Sequence, residues 1–123
     1  MTDTPYADAE KMLATVLEVF AAAGSVDDGT RPFVRVMRIG GADDGVTDRP
    51  RVVVDVLADT RDEAWSIARV LQQYLTRRPR AVPGLGIIDR VTTDVGPQYA
   101  PHEDARTALV TATYIVASRR SRI

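Results

Sequence analysis

Between Arg51 and Ala58 the chain alternates, with Val52, Val54, Val56 and Ala58 on one side and Arg51, Val53, Asp55 and Leu57 on the other. A period of two predicts a β-strand with one fully apolar face and one mixed face. The period then changes. Ala64, Ile67, Ala68, Leu71 and Leu75 recur at helical spacing and make one apolar stripe. Thr60 and Glu63 open that helix in the T-x-x-E spacing of a capping box. In such a box the threonine hydroxyl accepts from the Glu63 N–H, and the carboxylate reaches back to the Thr60 N–H. A strand with one apolar face, feeding a helix with one apolar stripe, is the pair on which the other elements must pack.

Upstream, Thr4-Pro5 reads as the N-cap and first turn of a helix with Ala9, Met12, Leu13, Val16 and Phe20 on its apolar face. Gly24-Ser25 closes it. Asp27-Asp28-Gly29 is a turn, and Pro32 to Ile39 reads as a strand. Arg35 and Arg38 fall on its opposite faces, which suits a place near a sheet edge. Gly40 to Arg49 then reads as an acidic connection of ten residues, longer than the usual hairpin loop of about two to five.

Downstream of the capped helix come Arg77, Arg78 and Arg80, where the helix macrodipole favours cations, and a turn at Pro83-Gly84. Gly86 to Val95 is a third strand with Ile87, Val91 and Val95 on one face. Residues 96–104 make a second long loop. Thr107 to Ser118 is the longest strand, with Ala108, Val110, Ala112, Tyr114 and Val116 inward and Leu109, Thr111, Thr113 and Ile115 opposite. Residues 119–123 read as a frayed end.

The order α-β-β-α-β-β predicts one α+β domain over residues 1–123: a four-stranded, mostly antiparallel sheet with two helices packed on one face. If both strand pairs are hairpins, the loops at 40–49 and 96–105 lie at opposite ends of the domain. Val53, Leu57, Leu109 and Ile115 would then face water on a lone copy, and such an apolar patch marks a partner surface. Trp65 stands one position off the helix stripe. It is either a flank of the core or an interface anchor.

Composition narrows the chemistry. With 16 basic and 17 acidic residues the net charge is −1, so neither nucleic acid nor an anionic membrane attracts the chain as a whole. There is no cysteine, which rules out disulfides, thiol catalysis and a cysteine zinc site. The start MTDTPYADAE has neither a basic nor an apolar leader segment, so export is not expected. No apolar run approaches the roughly 20 residues of a membrane span. His102 is the single histidine, beside Glu103 and Asp104. A general base is conceivable there, but a solvated loop residue is the simpler reading. Asp43, Asp44 and Asp48 miss the spacing of a calcium loop. The charges are nevertheless segregated, acids at 43–48 and arginines at 77–80 and 119–122. They are either solvated ends or the two halves of a head-to-tail contact between copies.

The run TDRPRVVVDVLADTRDEAWSIA with the strand before it, and the ending GPQYAPHEDARTALVTATYIVASRR, resemble the tail-terminator proteins of long-tailed (siphovirus-type) bacteriophages. The resemblance covers about residues 5–120 and includes the element order. It is carried by the strand–cap–helix unit, by Gly96-Pro97 before the loop, and by the Thr113-Tyr114 strand with its arginine end. It implies a virion protein at the head-proximal end of the tail, assembled in the host cytoplasm. There a homo-hexameric ring caps the tail tube, ends its polymerisation and offers a surface to a head-completion or neck protein. It implies no active site, no enzyme activity and no cofactor, and at most passive contact with DNA in the lumen.

The two long loops are assigned to axial contacts by position. The candidate assembly residues are Asp43, Asp44, Asp48, Arg49, Tyr99 and His102, with Arg77, Arg78, Arg80, Arg119 and Arg120 as basic counterparts. Candidates for an apolar subunit interface are Val53, Leu57, Trp65, Leu109 and Ile115. A stopper-type neck protein is the alternative. A KH or double-stranded RNA-binding module is a further one, supported by neither a GxxG clamp nor a net basic face.

Overall fold

A computed structural model describes residues 9–43, 48–77, 79–82 and 85–119. In chain order the elements are α1 (Ala9–Leu17), β1 (Ala22–Gly24), β2 (Phe33–Asp43), β3 (Asp48–Ala58), α2 (Arg61–Leu75), β4 (Arg80–Val82), β5 (Gly86–Ala100) and β6 (Ala108–Arg119). The strands form one sheet in the order β1-β2-β3-β6-β5-β4. Every neighbouring pair is antiparallel except β1 with β2.

The α+β class and the two helices on one face agree with the sequence pattern. The strand count and element order do not. The sheet has six strands rather than four, because a three-residue strand is added at each edge. The helix expected to run to Gly24 stops at Leu17, where the Phe20 N–H closes a tighter turn on the Leu17 carbonyl at 3.0 Å. Ala22, Ala23 and Gly24 then lie flat beside Phe33, Val34 and Arg35. Small side chains let that backbone approach an edge closely. Thr4, Pro5 and the Pro83-Gly84 turn lie outside the described residues.

The two long loops are also shorter than expected. β2 runs on to Asp43 and β3 starts at Asp48, so 44–47 alone separates them. A register shift between Arg38 and Gly40 absorbs the glycine pair and keeps the ladder going. β5 likewise continues through Pro97 to Ala100, using three register shifts along its length. Those shifts explain a second miss. Strict alternation put Ile87, Val91 and Val95 on one face, but each bulge flips the following side chains. Ile88 and Val91 are buried, whereas Val95 is exposed on the far face.

Residues of β3 and β6 pair without a shift from Asp48↔Ser118 to Ala58↔Ala108. Val52, Val54, Val56 and Ala58 therefore meet Tyr114, Ala112, Val110 and Ala108 on the inner face, all buried. Over them lie Ala64, Ala68, Leu71 and Leu75 of α2, and Met12, Leu13 and Leu17 of α1. Ile67 and Trp65 pack at the margin of this core and stay partly exposed. The Thr60 side chain accepts from the Glu63 N–H at 3.2 Å, which is one half of the expected capping box. At the other end the helix stops on Thr76, whose hydroxyl donates to the Gln72 carbonyl at 2.8 Å. Arg77 falls just beyond the last turn rather than within it.

Leu71→Ala should destabilise the domain by about 2–5 kcal/mol through an unfilled cavity, and Thr60→Ala by about 1 kcal/mol through the lost cap. Denaturant midpoints measure both; an unmoved midpoint in Leu71→Ala would contradict the packing of α2. Burial pushes the Tyr114 phenol up to about 12 from 10.0. The neutral ring thus contributes stability that is whole below 10.0 and is lost as pH rises through about 12. Alkaline unfolding followed by circular dichroism should be shallower over that range in Tyr114→Phe.

Candidate assembly surfaces

The helix-free face of the sheet is built from cross-strand rows. Phe33, Leu57, Leu109 and Ala100 are successive partners across β2, β3, β6 and β5. They pack as a second small cluster, so Leu57 and Leu109 are buried rather than facing water. Their sequence reading fails because Phe33 and Ala100 flank them in one row. A pattern read along single strands does not show lateral neighbours.

The next row is Arg35, Asp55, Thr111 and Gln98. Here Arg35 Nη2 and Nε donate to Asp55 Oδ2 at 2.6 and 3.1 Å. Asp55 is buried, so its charge is tolerable only with the guanidinium against it. The third row is Met37, Val53, Thr113 and Val95. Met37 is 40% and Val95 43% exposed, while Val53 and Ile115 are half-buried. An apolar strip therefore survives on this face, with Val53 and Ile115 in it as expected and Met37 and Val95 added. Beyond it, Arg51 Nε donates to Asp94 Oδ2 at 3.1 Å.

The β2–β3 turn and the β5–β6 connection lie at opposite ends of the sheet, as the order of elements suggested. Asp43 pairs with Asp48, and Asp48 with Ser118, next to Arg119 at the close of β6. Arg80 on β4 pairs with Ile88 near the start of β5. The acidic and basic runs therefore share one end and sit on opposite halves of the sheet. Arg49 and Arg77 are exposed; Asp44, Arg78 and Arg120 lie outside the described residues.

At the far end the connection folds on itself. His102 Nδ1 accepts from the Asp104 N–H at 3.0 Å, and Asp104 Oδ1 accepts from the Arg106 N–H at 3.0 Å. His102 is thus engaged in a local turn. Tyr99, 46% exposed, carries the Arg61 guanidinium 4.6 Å from its ring centre. Arg31 ties this connection to the β1–β2 segment, donating to Thr107 Oγ1 at 3.3 Å and to both carboxylate oxygens of Asp27 at 2.8 and 3.1 Å.

Sequence reasoning missed one surface. Val19, Phe20, Val70, Gln73, Tyr74, Thr76 and Arg77 line an open groove of about 800 Å³ on the outside of the helix layer. Phe20 and Tyr74 meet edge to face at 5.0 Å beneath it. The visible signal was Val70, an apolar residue on the polar side of the α2 stripe. Trp65 stacks under Arg69 at 5.3 Å and flanks the core. Among the described residues no group of three histidine or acidic side chains is placed to hold a metal.

Arg35→Ala should cost about 1–3 kcal/mol, the range for leaving a buried acceptor without its donor; an unmoved midpoint in denaturant titration would contradict it. Hydrogen bonds from Arg31, then from the Gly29 N–H, hold Asp27 at about 2 rather than 3.8. Its folded value is lowered, so its stabilisation is complete above 3.8 and lost as pH falls through about 2. Across that acid range the unfolding midpoint should fall less in Asp27→Asn than in the parent.

Three comparisons bear on these surfaces. No curated protein matches the sequence. A chain in the virion of a native gene transfer agent particle is similar in fold, with a TM-score of 0.57 at 15% identity, over 90% of this chain and 87% of that one. At that identity the likeness speaks for the fold alone. A family model described as phage tail termination protein matches residues 6–123, and the chain belongs to that family of phage tail structural proteins.

Proposed function

We propose that copies of this chain form a closed ring on the finished tail tube, end its polymerisation and present the surface to which the head is joined. The family match over residues 6–123 carries this reading. The two unlike ends of the sheet support it. A tube of identical rings offers the same growing end after every addition, so its own subunit contains no stop. A terminator stops growth by binding that end with one face while offering a second face to which the tube subunit cannot add. In this chain one end is the β2–β3 turn with its acids and arginines, and the other is the locked 101–107 connection. A subunit with two such ends suits two different neighbours along one axis. The role is structural, with no reaction and no cofactor, and the ring is most simply one of six.

Removing the protein should give overlong, headless tail tubes while heads still fill with DNA, seen by electron microscopy of lysates. Normal-length tails on heads would overturn the reading. Normal-length tails without heads would point instead to a neck protein on the head side. Charge reversal at Asp43, Asp44 and Asp48 should impair capping or head joining and leave the folded domain intact, as circular dichroism would report. Ring assembly should also weaken as salt shortens the screening length from about 10 Å at 0.1 M towards 3 Å at 1 M.

A further inference from the structure

We infer that the seam between copies is a heterologous stack: the apolar strip on the open sheet face of one copy seats in the groove on the helix layer of the next. The inference rests on the ring reading and says which surfaces make the ring.

Two observations weigh against the simplest alternative, joining of sheets edge to edge. An open edge recruits another strand only if its backbone is free and regular. On β2, β1 covers residues 33–35, and the Arg38 N–H beyond them is taken by the Glu10 carboxylate at 2.6 Å. On β5, β4 covers residues 86–88, and the rest is broken by register shifts at 88–90, 93–95 and 95–98, with Pro97 lacking an N–H to give. Both edges are blunted. Contact between copies is therefore left to side chains on the two broad faces.

Those faces carry the apolar material. Met37 and Val95, with Val53 and Ile115 beside them, lie on the open sheet face. Val19, 71% exposed, and Val70, 48% exposed, lie in the groove on the opposite layer. An isologous pairing of sheet faces would bury the first patch and leave the second in water. Stacking sheet on helices buries both at every seam and repeats, as a heterologous contact must. The open face is net basic, with Arg35, Arg49, Arg51 and Arg90 against Asp55 and Asp94. The helix layer mixes Glu18, Asp62 and Glu63 with Lys11, Arg61, Arg69 and Arg77, so the apolar patches choose the seam. If successive copies turn by about 60°, six close the ring. With the strands along its axis, the two sheet ends fall on the two axial faces.

Because the chain has no cysteine, paired cysteines report the seam directly. Met37→Cys with Val70→Cys in one full-length chain, oxidised or treated with a short bismaleimide, should give a ladder of linked copies on a denaturing gel. Each single variant should stay monomeric, and a mixture of the two single variants should stop at dimers. Val95→Cys with Val19→Cys is the second pair, should the first disturb folding by circular dichroism. Linking by Met37→Cys alone would show sheet faces meeting each other and overturn the inference. So would the absence of a ladder from both pairs where micrographs show closed rings; the terminator reading would then survive. Monomers alone, both in light scattering and on tube ends, would remove the ring itself.

Discussion

The unbroken register between β3 and β6 is the constraint on which the rest of the structure depends. Over the whole length of β3 the pairing with β6 runs without a bulge, so inner residues meet inner residues at every step. A slip of one residue would send Tyr114 and Val54 to the outside and bring Asp55 and Arg51 into the core. That cost makes the pairing nearly unique. α2 reinforces it: its cap at Thr60 follows β3 immediately, so the helix is returned across the face that β3 and β6 have just made apolar. Two-residue periodicity and helical periodicity thus support each other at one junction.

The outer strands can be irregular because the central pair is not. β2 and β5 each carry register shifts, and the shifts decide what the open face displays. One end of that face is sealed by the row from Phe33 to Ala100 and by the Arg35–Asp55 pair. The middle keeps an apolar strip with Met37 and Val95 exposed. Burying Asp55 beneath Arg35 adds little net stability against an apolar pair, but it places a fixed polar row beside the strip and defines where the apolar surface stops. A limited patch bounded by ion pairs has one preferred register for a partner, where a uniformly apolar face would have several.

Blunted edges give the same surface its meaning. A sheet with bare edges can grow by strand addition without limit, which is a hazard for a protein whose proposed work is to end growth. Glu10 on the Arg38 amide, and the bulges with Pro97 in β5, remove that route. What remains is contact by broad faces, which closes only if the turn between copies is right. The ends stay free for other partners.

The sequence by itself determined the class of the fold, the inner face of β3 and β6, the capped α2 and the placing of the two connections at opposite ends. Each follows from local periodicity or from a turn that neighbouring residues complete among themselves. The family was also legible, from stretches read together with their order. The two edge strands were not, because three residues carry no pattern until a longer strand offers them a ladder. Nor were the burial of Leu57 and Leu109, the exposure of Val95, or the groove at Val19 and Val70. These depend on which residue lies beside which across strands and on where a bulge reverses the alternation. Both are set by packing between segments far apart in the chain, so tertiary structure alone decided them.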